Sequence, residues 1–322
     1  MNGKHAGDRG RDVEIDPRAA ARIRVRRFAG PAAHVGVLDH VRVAHLTDLH
    51  VGRVTPMRVQ HTAAALTNAE KPDVVVITGD FVCHSQRWLL DLASVVARFE
   101  APVVCVLGNH DHWSGAREVR AALRRAGAMV LDNAHTTITV RHQRLQIVGL
   151  DDAYTGNASR ARAIQGLRAD LPTIGLSHIA EEADGLWAHG VPLVLSGHTH
   201  AGQVTVARLH ELAIGKIGGH KYVHGLYGSR RVDREDREEA AKGAVYVGAG
   251  IGAAVMPLRV GERGMREIAV FELGHAPGSF DEHHAEQAPL AGRKPSPKKQ
   301  WKRVAAVERL ERRRDRSPTR AA

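Results

Sequence analysis

The chain has 322 residues, of which 43% are apolar, and it contains only two cysteines. The apolar fraction is enough for a substantial core, and two cysteines exclude the disulfide framework of a small secreted domain. The net charge is +11, but twelve Lys/Arg and three acids between residues 293 and 320 supply +9 of it, so the basic excess belongs to a C-terminal tail and not to the body.

The N-terminal part predicts a disordered segment and then an edge strand. Residues 1–21 are polar and charged, and Ile23–Arg26 alternates apolar and basic side chains. Arg26-Arg27-Phe28 is similar to a twin-arginine export signal, but proline, histidine and charged residues interrupt the stretch after it. No run approaches the ~20 apolar residues of a membrane-spanning helix. We therefore expect no transmembrane segment and a cytoplasmic location.

Short apolar runs rich in β-branched residues predict strands that are buried on both faces. Five of them are Val41–Leu46, Val74–Ile77, Val103–Leu107, Thr173–Leu176 and Leu193–Leu195. Helical patterns lie between the first of these runs, at 55–69, at 88–99 and from Ser114 to about Gly127. Strands that alternate with helices of this length indicate βαβ units and a largely parallel sheet.

After Gly127 the pattern changes to short strands. Antiparallel strands are expected at 129–131, 136–140 and 145–150, with a helix at 160–167. Further strand-like pieces follow at 203–206, 221–223, 244–247 and 268–273, and residues 229–242 predict an exposed loop or short helix. We expect one α/β domain with two sheets over residues 22–273.

Residues 274–322 form the basic tail. Trp301, Val304, Val307 and Leu310 are spaced by three, which is compatible with an amphipathic basic helix that contacts anionic lipid or nucleic acid. The composition favours the alternative, a disordered tail.

Each of the five buried runs is followed directly by a polar cluster. The clusters are Asp48-Leu49-His50, Gly79-Asp80, Gly108-Asn109-His110-Asp111, Ser177-His178 and Gly197-His198-Thr199-His200. Ligands of open α/β sheets bind outside the carboxyl ends of the strands, so these clusters are expected to converge on one crevice. Their residue types predict a metal site.

The candidate ligands are carboxylates, an amide and imidazoles, without thiolates. They are Asp48, His50, Asp80, Asn109, His178, His198 and His200. Such a set suits Mn, Fe or Zn, and Mg and Ni are also compatible. Seven donors exceed the need of one ion, whereas two ions that share a carboxylate would use them all. Paired ions polarise phosphoryl oxygens and generate hydroxide from bound water.

This motif set resembles that of the calcineurin-like metallophosphoesterases, over residues 40–273. The resemblance implies an αββα four-layer sandwich of two mixed sheets with a dinuclear site. It places Asp80 between the ions, with Asp48, His50 and His200 on one ion and Asn109, His178 and His198 on the other. It also implies that His110 stabilises the transition state or protonates the leaving oxygen, and that Asp111 orients His110.

The segments after the last motif resemble one bacterial branch of the family. They are Gly197–Gln203, Tyr222–Tyr227 and Val247–Gly252. That branch includes UDP-diacylglucosamine pyrophosphohydrolase-like enzymes, which implies a phosphorylated small-molecule or lipid-linked substrate. Ser-His-Ile-Ala stands here where the branch has Ser-His-Asn-Pro, and Ala201 stands where it has glycine.

Two classes of function follow from these patterns. The first is hydrolysis of a phosphomonoester, phosphodiester or pyrophosphate bond by in-line attack of a metal-bound hydroxide. The second is a nucleic-acid- or membrane-binding protein, or a nuclease, that acts through the basic tail. The nearly neutral body and an aromatic content of 4% favour the first.

The remaining histidines near the motifs are not expected to bind metal. His45 lies out of phase within its strand and should be packed. His84 and His112 flank motifs and could contact the substrate, but a position at the surface without such a role is favoured for each. His283 and His284 reflect the composition of the tail.

Overall fold

The computed structural model describes residues 15–202, 218–232, 242–253, 264–280 and 282–316, together with residues 215, 259 and 261. The predicted strand at 203–206 and most of the charged segment at 229–242 lie outside the described residues. The same holds for residues 1–14 of the N-terminal segment.

The described residues form twelve strands. They are β1 (Ile23–Ala29), β2 (Val41–Leu46), β3 (Val74–Thr78), β4 (Val103–Val106), β5 (Met129–Val130), β6 (Ala134–Val140), β7 (Gln143–Gly149), β8 (Thr173–Leu176), β9 (Leu193–Ser196), β10 (Gly225–Gly228), β11 (Ala244–Val247) and β12 (Arg266–Leu273). All five buried runs predicted from the sequence are strands. The predicted strand at 221–223 is wrong, because pairing starts only at Gly225.

The strands form two mixed six-stranded sheets. The order is β1-β12-β2-β3-β4-β5 in the first sheet and β10-β11-β9-β8-β7-β6 in the second. Strands β2 to β5 are parallel, and so are β7, β8, β9 and β11. The prediction that residues 129–131 form an antiparallel strand is wrong, since β5 follows a helical crossover from β4 and pairs with it in parallel.

The helices are α1 (Pro17–Ala20), α2 (Met57–Ala69), α3 (Leu89–Val96), α4 (Asn109–Arg125), α5 (Arg160–Ala163), α6 (Ala183–Trp187) and α7 (Pro297–Arg316). Helix α4 begins five residues before the predicted Ser114, and Gly115 interrupts it at a φ of 114°. Helix α1 lies within the segment predicted to be disordered, where Asp16 caps its first amides. Within the described chain, no helix combines the length and apolarity needed to cross a bilayer.

Three apolar layers hold the sheets and helices together. Alternate side chains of β3 point to opposite sides: Val75 and Ile77 pack against α2 to α4, while Val74 and Val76 pack against the second sheet. A third cluster, around Val194 and Leu186, joins the second sheet to α5 and α6. The result is the expected αββα four-layer sandwich, in which the central strands are buried on both faces.

The C-terminal tail contains a helix, contrary to the disorder favoured by its composition. Ala305 and Val307 of α7 are 9% and 6% exposed, and α7 packs against α4. The segment before it is tied to the domain by backbone hydrogen bonds from Leu290 to Lys221 and from Arg293 to Gly219. Ordering the tail costs conformational entropy, and its charged residues alone could not offset that cost. The burial of a few apolar side chains of α7 offsets it.

A buried ionic cluster also anchors the tail. Glu267 of β12 bonds to Arg26 and to the Tyr246 hydroxyl, and His224 and His284 lie 3.4 and 3.6 Å from it. Burial alone would raise the pKa of Glu267, but the charges and hydrogen bonds of the two histidines outweigh it and hold that pKa well below its ordinary value. His284 is therefore a structural residue, not a reflection of tail composition.

Replacing Glu267 with glutamine should leave Arg26 buried without its counter-charge. We expect Glu267→Gln to lower the free energy of unfolding by about 3 kcal/mol at pH 7, measured by chemical denaturation. The pKa of Glu267 is lower in the folded state than in the unfolded state. The difference in free energy of unfolding between wild type and Glu267→Gln is therefore complete above pH ~4.3, the ordinary glutamate pKa, and becomes smaller as the pH falls below that value. The exposed control Glu308→Gln should cost little; equal stabilities of wild type and Glu267→Gln would contradict the role.

Candidate metal centre

The candidate site lies where the two sheets meet at one edge. The motifs follow β2, β3 and β4 of the first sheet and β8 and β9 of the second. The carboxyl ends of these parallel strands open at the same edge, so five loops deliver their polar residues into one crevice. The structure brings all seven candidate ligands together there.

The backbone of the site is held in an uncommon conformation. Asp48, His50, Asp80, His198 and His200 have φ angles of 51°, 42°, 56°, 75° and 52°. Non-glycine residues rarely adopt this left-handed conformation, because it strains the backbone. Such strained residues are concentrated at functional sites, where a side chain must hold a defined orientation. Sharp turns at the strand ends direct these side chains toward one another.

One group of potential ligands consists of Asp48, His50, Asp80 and His200, whose ligand atoms all lie within 4.8 Å of one another. His200 Nε2 lies 3.3 Å from Asp48 Oδ1 and 3.0 Å from His50 Nε2. His50 Nε2 lies 3.5 Å from Asp80 Oδ2. Two imidazole nitrogens and two carboxylates therefore face a common centre.

A second group shares Asp80 with the first and adds His178 and His198. His178 Nε2 lies 3.4 Å from Asp80 Oδ2, 3.2 Å from His198 Nδ1 and 3.2 Å from Asn109 Oδ1. His178 Nδ1 lies 2.7 Å from the Thr78 carbonyl, which can only accept, so Nδ1 carries the proton. This bond orients the ring with Nε2 toward the centre.

The charges of the site fit a cation. Burial opposes ionisation of Asp80, but His178 and His110 outweigh it and hold the pKa of Asp80 well below its ordinary value. Burial lowers the pKa of His50 well below its ordinary value and that of His200 to about 3, so both rings are neutral and able to bind metal.

Two further observations test the fit. Asp48 Oδ1 is buried and has no hydrogen-bond partner, although a buried carboxylate oxygen without one is costly. Burial would lower the pKa of His178, yet Asp80 and Asp48 raise it to about 10, so a proton supplies the positive charge these carboxylates demand. A divalent ion would meet the same demand, and the donor chemistry suits it.

His110 and Asp111 do not interact as predicted. His110 lies beside the centre, with Nε2 3.9 Å from Asp80 Oδ2 and Nδ1 without a hydrogen-bond partner. Asp111 instead accepts hydrogen bonds from the backbone amides of Phe81, Val82 and Gly108 at 2.8, 3.2 and 2.9 Å. The prediction that Asp111 orients His110 is wrong; Asp111 caps α4 and ties it to the loop after β3.

The glycine-rich segment after β11 supports the Asp48 loop. The amides of Ile251 and Gly252 donate to the carbonyls of Thr47 and Asp48 at 3.0 and 2.7 Å. Arg259 in turn donates to the carbonyls of Ala249 and Gly252. This gives the Val247–Gly252 motif a physical role, since it fixes the backbone from which Asp48 is presented.

Aromatic side chains wall the crevice. The Trp113 ring lies 4.8 Å from His110 and the Tyr154 ring 5.3 Å from His198. The exposed His84 lies 4.3 Å from His110, and His220 lies 5.3 Å from His198. Sequence reasoning did not predict these ring contacts, because they join residues from separate segments of the chain.

Two other histidines near the motifs are buried. His45 is packed as predicted, with Nε2 2.9 Å from Thr78 Oγ1. His112 was expected at the surface but is 3% exposed, with Nε2 2.8 Å from Asp151 Oδ1. The predicted surface position of His112 is therefore wrong. Its burial is favourable because it contacts the carboxylate of Asp151, a residue far from it in the sequence.

A further cluster could hold an ion by distance alone. His224, Glu267 and His284 place their ligand atoms within 4.8 Å of one another. Arg26 already bonds the Glu267 oxygen that an ion would use. The chain supplies the counter-charge itself, so this cluster is an internal ion network.

A four-layer sandwich with carboxylates and imidazoles gathered at one sheet edge defines the class of a metal-dependent hydrolase. A family model described as calcineurin-like phosphoesterase matches residues 41–202, half of the chain. The chain belongs to this family, and it is accordingly a phosphoester hydrolase.

Individual relatives agree with the assignment. Phosphodiesterase YaeI of Escherichia coli (strain K12) is 30% identical over 200 residues, covering 59% of this chain and 72% of that protein. The uncharacterized metallophosphoesterase YkuE of Bacillus subtilis (strain 168) is 28% identical over 241 residues, covering 73% and 79%. Among solved structures, TT1561 of Thermus thermophilus is 14% identical with a TM-score of 0.42, covering 66% of this chain and 91% of that one.

A methyl group at Gly108 should disturb the site through Asp80. A Cβ added there would overlap the Asp80 carboxylate and lie 2.6 Å from the Asp80 amide nitrogen. We expect Gly108→Ala to weaken Mn²⁺ binding by about 10–100-fold, the usual effect of displacing a supported ligand, as measured by calorimetric titration.

Gly127→Ala is the matched control for Gly108→Ala. Gly127 ends the same helix with a φ of +90°, and an added Cβ meets nothing within 4 Å. This variant should lose stability through backbone strain but keep its metal affinity. Equal Mn²⁺ affinities of wild type and Gly108→Ala would contradict the argument.

Divalent ions should stabilise the folded chain, because the ligands converge only when it is folded. After treatment with a chelator, addition of Mn²⁺ or Zn²⁺ at 100 times its dissociation constant should raise the free energy of unfolding by about 2.7 kcal/mol, read by chemical denaturation. Exposed His189→Ala should respond like wild type, and Asp80→Asn should respond less. No stabilisation by any divalent ion would contradict the metal centre.

Proposed function

We propose that this chain hydrolyses phosphomonoester, phosphodiester or pyrophosphate bonds with two divalent metal ions. One observation carries the proposal: two groups of potential ligands, most of them buried, share the Asp80 carboxylate. Asp48, His50 and His200 would hold one ion, and Asn109, His178 and His198 the other, with Asp80 between them. When bound, such ions polarise phosphoryl oxygens and lower the pKa of water.

The surrounding residues supply positioning and charge. The Asp80 Oδ1 atom accepts the amide hydrogen of His110 at 2.9 Å, so the side chain between the ions also fixes the backbone of His110. The His110 imidazole is 13% exposed and can reach a bound phosphate from the crevice. It would donate a proton to the leaving oxygen or stabilise charge on the phosphoryl group.

We propose Mn, Fe or Zn as the metal, because the donor set mixes hard oxygen and borderline nitrogen ligands and does not select among these three. We place the substrate among phosphorylated small molecules and lipid-linked phosphates, with the pyrophosphohydrolase-like branch as the nearest guide. The name of YaeI supports phosphodiesters as one class to test. We propose a cytoplasmic location, with peripheral contact at a membrane.

Helix α7 supports a second, separable function. Exposed Lys298, Lys302 and Arg309 accompany Trp301, which is 66% exposed. A basic helix with an exposed tryptophan suits an anionic surface. Such contact would depend strongly on salt, whereas hydrolysis of a small substrate would not.

Substitutions at Asp80 and His110 test the assignment of roles. With Mn²⁺ present, wild type should hydrolyse p-nitrophenyl phosphate or bis(p-nitrophenyl) phosphate. Asp80→Asn should reduce turnover to background because the shared ligand loses its charge. His110→Ala should reduce kcat by about 10²–10⁴-fold, the usual contribution of a proton-transfer group.

Asp170→Asn and His189→Ala are the controls, since both positions are exposed and remote from the motifs. They should retain wild-type turnover. Full activity of Asp80→Asn or His110→Ala would refute the proposed roles, and an inactive wild type in every metal would refute the reaction.

A further inference from the structure

Helix α7 forms part of the wall of the metal crevice. The Gln300 side-chain amide donates to the Ala153 carbonyl at 3.5 Å, and Arg314 donates to the Trp113 carbonyl. Val304 lies so close to Gly156 that an added Cβ there would come within 2.8 Å of it. The tail helix therefore rests on the two segments that carry Trp113 and Tyr154.

Arg303 of α7 contacts an aromatic side chain that lies beside a candidate metal ligand. Its guanidinium carbon lies 3.6 Å from the centroid of the Tyr154 ring, and that ring lies 5.3 Å from the His198 ring. The Arg303 guanidinium is thus one aromatic ring away from a candidate metal ligand. Stacking on tyrosine holds it in place without using its hydrogen-bond donors.

The charge of Arg303 is not neutralised by the part of the chain that the structure describes. Its Nε atom is buried and has no hydrogen-bond partner. By contrast, Arg230 bonds to Glu282 and Glu286, and the half-buried Arg120 bonds to Asp151. A guanidinium that is stacked on Tyr154, beside the candidate metal crevice, and that has no carboxylate partner among the described residues suits a second anion.

We propose that Arg303 is a specificity residue that binds a second anionic group of the substrate, such as a non-scissile phosphate next to the one that is hydrolysed. The inference rests on the proposed hydrolase function and deepens it. It assigns part of the substrate surface to the tail, and it favours substrates with two neighbouring phosphates over those with one.

Competition between two stable phosphonates tests this assignment with a single reporter reaction. The inhibition constants of methylenediphosphonate and methylphosphonate are measured against p-nitrophenyl phosphate or its diester, at a constant free Mn²⁺ concentration. Wild type should prefer the diphosphonate by about tenfold, as expected for one charge-assisted contact. Arg303→Gln should abolish this preference and leave kcat/KM for the reporter within about twofold, because hydrolysis itself does not need the second contact.

Controls separate recognition from packing. Arg309→Ala removes an exposed arginine of the same helix and should keep the wild-type preference. Arg303→Lys should restore part of it, since the charge returns without the planar fork. Calorimetric titration of the diphosphonate into the metal-loaded protein should give the same order of affinities without turnover.

Two results would overturn the proposal. An unchanged preference in Arg303→Gln would show that Arg303 does not contact the anion. An equal loss for both phosphonates and for the reporter would show that Arg303 only packs the helix. Failure of the hydrolase function is distinguishable, because wild type itself would then not turn over the reporter while calorimetry would still report whether Arg303 binds the diphosphonate.

Discussion

The structure depends on two carboxylates, Asp48 and Asp80, that are buried at the junction of two sheets. An ionised carboxylate out of water is very costly unless positive charge or hydrogen bonds compensate it. The Thr47 hydroxyl and the His198 amide bond one oxygen of Asp48, but the other has no hydrogen bond. Burial raises the pKa of Asp48, and a bound cation would stabilise its ionised form, so cation binding and folding would reinforce each other.

The other features of the site follow from this constraint. Left-handed turns at five ligands bring side chains from separate loops to one point, and glycine at 108 lets the Asp80 carboxylate approach the neighbouring loop. The Thr78 carbonyl fixes the tautomer of His178. Each device costs conformational freedom, and the four-layer core offsets that cost by rigidly holding the strand ends.

The sequence predicted the five buried strands because a buried strand is a local signal, and the candidate ligands were chosen from the residues that directly follow those strands. A buried parallel strand such as β3 is a continuous apolar run, and the residue after it must turn toward the sheet edge. The change of pattern after Gly127 predicted two sheets, but their packing into four layers came from the family resemblance, since no local pattern records which elements pack together. The direction of β5 was missed for the same reason: two residues are too few to show a period.

Residue roles that depend on distant partners could not be predicted. Histidines in general are intermediate in burial, so the sequence alone did not indicate that His112 is buried. Its burial depends on Asp151, 39 positions away. Asp111 sits next to His110 in the chain, yet helix geometry turns it toward the backbone amides of the loop after β3. Adjacency in sequence suggested an interaction that the helical turn does not allow.

The segment that matches the family and the segments after it contribute different parts of the site. The family match spans residues 41–202 and contains all seven candidate ligands, so it accounts for the chemistry. His220 and Arg303 lie outside that span and reach the crevice through ring contacts with His198 and Tyr154. The metal ligands must be held rigidly, and the strand ends do this. The outer wall of the crevice has no such requirement, so any segment that packs against the domain there can form it. A charged helix with one apolar side meets that requirement, which is why a tail whose composition indicates disorder is ordered against this site.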